Sequence, residues 1–507
     1  MPGMEHFLKI KISEKITYLY YHTEYISVLI EINIDICEKI TYNSIIRKGL
    51  IFMLIRFAVE NHLSFKDMTE FNMSAGKITR HSDHVAEKNG KRILKGGFIF
   101  GANASGKTNF IRAISFAKKI VTKGLSNVSC DKKYFRIESS CKNRPGIFQF
   151  DIFSGNHFYS YGFAMSYTNI NIEEEWLYQV DEGDKCIFLR SKSENGEIEF
   201  SSDITFSTAS QQERFNVYSD DIKNPKMEKT LFLSDVLLRS PDDKEYQPFR
   251  DVMEWFQKLI IVFPDSKYGG ITQLMEDDSI RKELSLLLEY FDTGIKSVNS
   301  IEKNIDKIFA NIPKSMMESL KLDIFKELSE QAKGALIQRG DSLIEVNLRD
   351  EDLYASEIVT NHGNDNDLFE FEDESDGTKR LFDLIPLYQH VRRGHVIIID
   401  ELDRSLHTKA TLEFIKYFYK VTLNCPAQLI ATTHDSNIMD LDFLRQDEVW
   451  FVERQEDHSS HIFSLNKFKT RFDKKIEKDY LLGRYGAIPI FNQLLLDEVE
   501  EGDSCAD

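Results

Sequence analysis

The strongest constraint in this chain is the run Gly101–Thr108, which reads Gly-Ala-Asn-Ala-Ser-Gly-Lys-Thr. It is the phosphate-binding loop pattern: a glycine, four residues, then Gly-Lys-Thr. A chance Gly-rich turn would share the letters but not the surroundings. Before the loop, Lys95–Phe100 contains Gly-Gly-Phe-Ile-Phe, a short apolar strand. After it, Phe110, Ile111, Ala113, Ile114 and Ala117 recur at helical spacing. Gly101 and Gly106 let the backbone curl so that its N–H groups face phosphate oxygens, and the helix N-terminus adds partial positive charge. The expected cradle is therefore Gly101, Ala102, Asn103, Ala104, Ser105, Gly106, Lys107, Thr108 and Asn109. Lys107 is placed to reach the β- and γ-phosphates, and Thr108 to offer its hydroxyl to Mg²⁺.

A second motif sits far downstream. Val396-Ile397-Ile398-Ile399-Asp400-Glu401 is a fully apolar strand, of the kind buried in parallel sheets, that ends in two carboxylates. Alone it is as well explained by solvated acids at a strand end. Beside a phosphate loop it predicts Asp400 in the Mg²⁺ shell with Thr108, and Glu401 as the general base that polarises the attacking water. Lys107 and Asp400 are 293 residues apart (400 − 107), so a large insertion separates the two motifs.

The rest of the chain changes character along its length. Met1–Phe52 shows no motif and reads as an extension outside the core; Met53–Asn61 starts a strand leading into the turn Asn61–Phe65. Phe148–Phe153 and Tyr159–Met165 flank Ser154-Gly155-Asn156 as a β-hairpin, and Ile172–Val180 and Cys186–Arg190 continue an antiparallel sheet. In this sheet Gln149 reads equally as a surface strand residue or as a polar residue at the site, and no glutamine stands out for the latter role. Ser201–Asp221 is loop-like. Leu231–Leu238, Phe249–Ile261, Ser279–Phe291 and Ile301–Lys333 read as helices, the last broken at Pro313. That last helix is either a short coiled-coil-like arm or part of a packed helical lobe, and it is too short for a long coiled coil, which favours the lobe. Asn361–Asp376 holds seven acids in sixteen residues and reads as a solvated loop. Lys379–Val391 is helical, and Gln428–Thr432 is a second buried strand.

Two weaker motifs complete the set. Glu374-Ser375-Asp376-Gly377-Thr378 precedes a helix, with Ser375 25 residues before Asp400 (400 − 375). It resembles the Leu-Ser-Gly-Gly-Gln signature of ABC-type ATPases through Ser375 and Gly377, while Glu374, Asp376 and Thr378 depart from it. Taken alone it is an ordinary N-cap. Ala431-Thr432-Thr433-His434-Asp435 follows a strand, with His434 33 residues after Glu401 (434 − 401). ABC-type heads carry a histidine there that contacts the γ-phosphate. Ser405-Leu406-His407 falls at the position of their D-loop.

Taken together, 53–490 resembles the ABC/SMC-like ATPases of prokaryotic abortive-infection and anti-phage loci. That group includes the PtuA subunit of Septu systems, the AriA subunit of PARIS systems and the AbiLi ATPase. The resemblance is carried by Phe57–Phe65, the phosphate loop, Glu374–Leu381, Asp400–His407 and Leu481–Pro489. It implies an α/β ABC-type P-loop head with an antiparallel β subdomain and an inserted helical lobe. The expected parts are 1–52 as extension, 53–225 as the first ATPase lobe, 226–350 as helical insert, 351–490 as the second lobe and 491–507 as acidic tail. It further implies a cytoplasmic ATPase that uses ATP and Mg²⁺. Catalysis would rest on Lys107, Glu401 and His434. Two protomers would meet head to tail, so that Ser375 and Gly377 of one face the nucleotide of the other. The implied partners are a separately encoded effector, an HNH- or TOPRIM-type nuclease, and a phage-encoded trigger. The alternative is an SMC-type DNA-repair ATPase that clamps DNA itself, which leaves nucleic-acid binding open.

Composition sets outer bounds. At 507 residues and 42% hydrophobic content the chain is long enough for two or three lobes. No stretch approaches the roughly 18 uncharged apolar residues of a membrane span. The net charge of −18 offers no general polyanion coat. The six cysteines form no Cys-x-x-Cys pair, which argues for a reducing compartment and against a zinc site. Asp440-Leu441-Asp442 is the nearest approach to a nuclease centre, but lacks the strand-borne glutamate of a TOPRIM site and reads as the start of a helix. Asn361–Asp365 lacks the ββα frame of an HNH nuclease. The chain is therefore expected to cut no nucleic acid by itself.

Overall fold

The computed structural model describes 51–265, 278–304, 332–468 and 475–488 apart from a few single positions, with strands between 7 and 38 and isolated positions between 318 and 325. The Pro313 break and the acidic tail 491–507 lie outside the described residues. The described chain divides into two compact units, one of Gly49–Pro264, Val391–Asp403 and Phe414–Asp507, the other of Met1–Lys48, Asp265–His390 and Arg404–Glu413.

The first unit is built on a six-stranded sheet in the order Ile260–Val262, Val396–Ile399, Gln428–Thr432, Gly96–Phe100, Val449–Arg454 and Ser460–Ser464. The first five strands run parallel and the last is antiparallel. Val396–Ile399 and Gly96–Phe100 are buried along their whole length, as all-apolar strands covered on both faces must be. Parallel pairing puts the C-terminal ends of the phosphate-loop strand and the Asp400 strand on the same edge, which is where open α/β sheets place their ligands.

Against this core stands a seven-stranded antiparallel sheet, in the order Ile198–Ser201, Asp184–Lys192, Asn171–Val180, His157–Ser166, Gly146–Ser154, Met53–Glu60 and Thr69–Asn72. The phosphate-loop helix Lys107–Lys123 lodges between the sheets: Phe110 meets Phe57, Phe65 and Phe71 at ring-centroid distances of 5.6, 6.2 and 5.4 Å. Buried Gln428 stitches the sheets, its Nε2 donating to Leu54 O and Leu94 O and its Oε1 accepting from Leu54 N–H. The helix Gln247–Lys258 covers the antiparallel sheet with Trp255 and Phe256 against Phe150. The Ser/Asp-rich segment expected as loop contains the helix Ala209–Asp221. Thr208 caps it by accepting from Gln211 N–H, and buried Phe215 and Tyr218 hold it.

The second unit corrects the expectation of a helical insert. Its helix Asp278–Tyr290 matches the reading, but Ser297–Lys303 is a strand, paired in register with Asp352–Asn361. Ala332–Arg339 and Ser342–Arg349 form an antiparallel pair in the same sheet. The expected helix Ile301–Lys333 begins in the strand Ser297–Lys303 and ends in the strand Ala332–Arg339, and most of the chain between them lies outside the described residues. The sheet also takes in Phe7–Ile12, Lys15–His22 and Ile30–Glu38 from the N-terminal stretch. The misreading has a physical cause. Ser297–Lys303 gains its hydrogen bonds from a partner some fifty residues downstream, and a local apolar period does not register such pairing.

Candidate functional site

The phosphate loop turns where the sequence allows it. Gly101 has φ +153 and Gly106 φ +115. A Cβ on Gly101 would lie 2.3 Å from Val452 O, and one on Gly106 would lie 2.1 Å from Ser460 Oγ. The loop is braced from behind: Ser460 Oγ donates to Ser105 O at 2.6 Å, and Asn109 Nδ2 donates to Ser64 Oγ at 3.0 Å. Ser64 belongs to the expected turn after Met53–Glu60, closed by His62 N–H to Phe65 O. Phe451 pairs with Phe100 below the loop and stacks on Tyr480 and on Tyr485 of the C-terminal motif, whose Ala487 N–H donates to Glu453.

Lys107 is buried and donates to Gly101 O at 2.7 Å and Ala102 O at 3.0 Å. Its Nζ lies 3.4 Å from His434 Nδ1. An ammonium only donates, so Nδ1 accepts and the proton of neutral His434 sits on Nε2. That nitrogen lies 3.9 Å from Glu401 Oε1. Burial lowers the Lys107 pKa to about 8 against the pull of Asp400, Asp403 and Glu401. Burial and then the Lys107 charge lower that of His434. The His434 backbone N–H is held by both carboxylate oxygens of Asp403, at 3.3 and 3.2 Å.

Asp400 is fully buried. Its Oδ1 accepts from Thr432 Oγ1 at 2.6 Å, and its Oδ2 is enclosed with no hydrogen-bond partner. An orphaned carboxylate oxygen is costly in an apolar interior unless a cation or its water shell completes it. At this position it fits Mg²⁺ held with Thr108. Glu401 follows at φ +52, a left-handed conformation unusual for a side-chain-bearing residue, and its N–H donates to Thr432 Oγ1 at 2.8 Å. The strand end thus sends Asp400 inward and turns Glu401 toward His434. Phosphate loop, Asp400, Glu401 and His434 meet in one site at the start of the helix Lys107–Lys123.

Residues 98–440 match the family model described as "AAA domain, putative AbiEii toxin, Type IV TA system". The chain belongs to this AAA family.

Solved structures similar to the AAA chain include an SMC head bound to the C-winged helix domain of ScpA (16% identity, covering 81% of this chain and 97% of that one, TM-score 0.32). The SMC head domain from Thermotoga maritima is also similar (12% identity, 81% and 98% covered, TM-score 0.33). So is an Smc head with an extended coiled coil, bound to the C-terminal domain of ScpA derived from Pyrococcus furiosus (13% identity, 82% and 98% covered, TM-score 0.33). No curated protein matches the chain.

Three contributors to the AAA site escaped the sequence reading: Thr432, Asp403 and the Ser64–Ser460 brace. Thr432 stood within a quoted motif, but a threonine in an apolar strand reads as a strand former. Gln149 Nε2 donates to Asp151 Oδ1 at 3.2 Å and Ser160 Oγ at 3.1 Å on the antiparallel sheet. In the second unit, Ser375 caps the helix Asp376–Leu384, its Oγ accepting from Thr378 N–H at 3.1 Å. A Cβ on Gly377 would lie 2.9 Å from Ser405 O, so signature and D-loop stretches pack against each other. Glu374 departs from the solvated-loop reading: it is buried and takes Thr360 Oγ1 and His362 Nε2 as partners. Asp440 and Asp442 are exposed in a turn rather than at a helix start, with Asp442 N–H on Asp440 Oδ1. No helix among the described residues is long and apolar enough to cross a membrane.

Proposed function

We propose that the chain binds Mg²⁺–ATP at Gly101–Thr108 and hydrolyses it to ADP and phosphate. What supports this reading most is the convergence of Lys107, Asp400, Glu401 and His434 at one edge of the parallel sheet, with Asp400 Oδ2 left unpartnered. The loop amides and Lys107 bind and orient the phosphates. Asp400 and Thr108 would hold Mg²⁺, which supplies neutralisation of phosphate charge when bound. Glu401 orients the attacking water and accepts its proton. His434, carrying its proton on Nε2, donates toward the γ-phosphate oxygens as Lys107 leaves its carbonyl partners for the nucleotide.

The assembly is a head-to-tail dimer in which Ser375 and Gly377 of each protomer complete the other's site, so that ATP closes the pair and hydrolysis releases it. In the cell this ATPase acts as the sensor or regulatory subunit of an anti-phage system and controls a separate effector, a nuclease. Phage challenge tests that role. Protection should require both this chain and a second encoded protein and should vanish in Lys107→Ala. Growth arrest by this chain alone, lost in Lys107→Ala, would make it the toxin itself. ATPase activity stimulated by duplex DNA in a salt-sensitive way would favour the DNA-clamping alternative.

A further inference from the structure

A cluster on the opposite side of the phosphate-loop strand from its loop is used by none of this chemistry. His81, Asp83 and His84 lie in and beside a single helical turn, Ser82–His84, and each offers a donor atom within 4.8 Å of the others. We propose that these three residues bind a zinc ion as a His₂Asp site completed by solvent.

His84 is prepared as a ligand. Its ring is buried, stacked on Tyr419 at a centroid distance of 3.4 Å, and its Nδ1 lies 3.1 Å from both oxygens of Glu448. Glu448 is itself fully buried and accepts from Tyr419 OH at 2.9 Å and Arg445 N–H at 2.9 Å. A carboxylate only accepts, so Nδ1 carries the proton and Nε2 is the nitrogen left for a metal. A buried carboxylate fixing the far nitrogen of a histidine is how metal-ligating imidazoles are oriented.

His81 supplies the second observation. Its Nε2 is enclosed with no hydrogen-bond partner, and its backbone is held at φ +50. The ring lies 5.1 Å from that of His84, centroid to centroid. An imidazole nitrogen shut away from both water and protein is accounted for if an ion takes it. Asp83 is exposed, so its carboxylate can turn onto the ion without disturbing packing. The nearby cation does not contest the site: Lys95 Nζ is committed to Asp83 O at 2.7 Å and Thr422 O at 2.8 Å.

The donor set selects the metal. Two imidazoles and one carboxylate suit zinc with an open fourth position, at Zn–N of about 2.0 Å. Closing the cluster to that geometry draws the donors together by at most roughly 1.5 Å. The cysteine spacing argued against a zinc site because it reports only thiolate sites, and this one uses none. The turn is tied to the phosphate-loop strand, since Lys95 N–H donates to His84 O at 2.9 Å. The ion would therefore clasp the start of that strand.

The test uses the full chain, stripped with a chelator, titrated with ZnCl₂ against a chromogenic zinc chelator, and assayed for retained metal after desalting. Wild type and Lys107→Ala should each hold one zinc per chain at this site. His81→Gln and Asp83→Asn should bind it at least about tenfold more weakly. Asp83 is exposed, so Asp83→Asn keeps the fold even if His81→Gln does not. Co²⁺ in place of zinc should give d–d bands without a thiolate charge-transfer band, which separates the site from the cysteines. A wild type that holds no zinc, or an Asp83→Asn protein that holds it as tightly as wild type, overturns the proposal.

Discussion

Thr432 and Asp400 share a hydrogen bond of 2.6 Å, and the same threonine hydroxyl accepts the Glu401 N–H at 2.8 Å. One Oγ on the neighbouring parallel strand therefore fixes both carboxylate residues: it spends its proton on Oδ1 of Asp400, while Oδ2 stays unpartnered, and it holds the left-handed turn that presents Glu401. Thr432→Val keeps the shape and removes both bonds. It should lower kcat by roughly 10- to 100-fold, the usual cost of losing a residue that orients a metal ligand, with ATP affinity nearly kept. Steady-state ATPase kinetics with a separate nucleotide-binding titration checks the split. An unchanged kcat would detach Thr432 from the chemistry.

ATP affinity should depend on pH through Lys107. Its pKa is lowered to about 8 by burial, and bound phosphates favour the charged form. Below pH 8 the ammonium is already formed and affinity is flat. Above it, binding must take up a proton, so affinity falls as pH rises. Binding isotherms from pH 7 to 9.5 show the effect, and Lys107→Ala, weaker throughout, should lose that slope.

The trans geometry is tested with Ser375. Ser375→Arg places a cation where the neighbour's γ-phosphate docks, but it also removes a helix cap worth about 1 kcal/mol. Ser375→Asp keeps the cap and sets a negative charge against the phosphate. Both should leave ATP binding intact and abolish ATP-driven dimerisation, with only Ser375→Arg lowering the melting temperature. Mixing Ser375→Arg with Lys107→Ala leaves one composite site without either lesion, so activity should return. No recovery in mixed dimers would confine the site to one chain.

Glu175 offers a stability prediction. It is fully buried and accepts from Phe232 N–H at 2.6 Å, Leu233 N–H at 3.1 Å and Tyr161 OH at 3.1 Å. Burial raises its pKa from 4.5 to about 7. A raised folded-state pKa gives stability that is complete below 4.5 and lost as pH climbs through about 7. Glu175→Gln should flatten that stretch of the stability profile. Glu175→Ala should cost about 3–5 kcal/mol, because it leaves two buried amides and the Tyr161 hydroxyl without their acceptor. Denaturant melts at pH 5 and pH 7.5 measure both.

What the sequence made legible follows the range of the interactions involved. The phosphate loop, the strand Val396–Ile399 with Asp400 and Glu401, and His434 after Gln428–Thr432 were readable because each motif carries its chemistry in adjacent letters. Thr432, Asp403 and Ser460 were not, since each acts on a residue brought near only by folding: Ser460 reaches Ser105 across 355 positions of chain. Glu175 stands in the run Glu173-Glu174-Glu175, whose letters do not tell which of the three is enclosed. The strand Ser297–Lys303 was lost in the same way, to a pairing partner at Asp352–Asn361.

Phosphate release by Glu401→Gln, measured beside its nucleotide occupancy, tests the central claim most directly. The account predicts ATP bound as tightly as in wild type, hydrolysis slower by about a hundredfold or more, and a persistent ATP-bound dimer. Wild-type turnover by Glu401→Gln would contradict it and move the base to another residue.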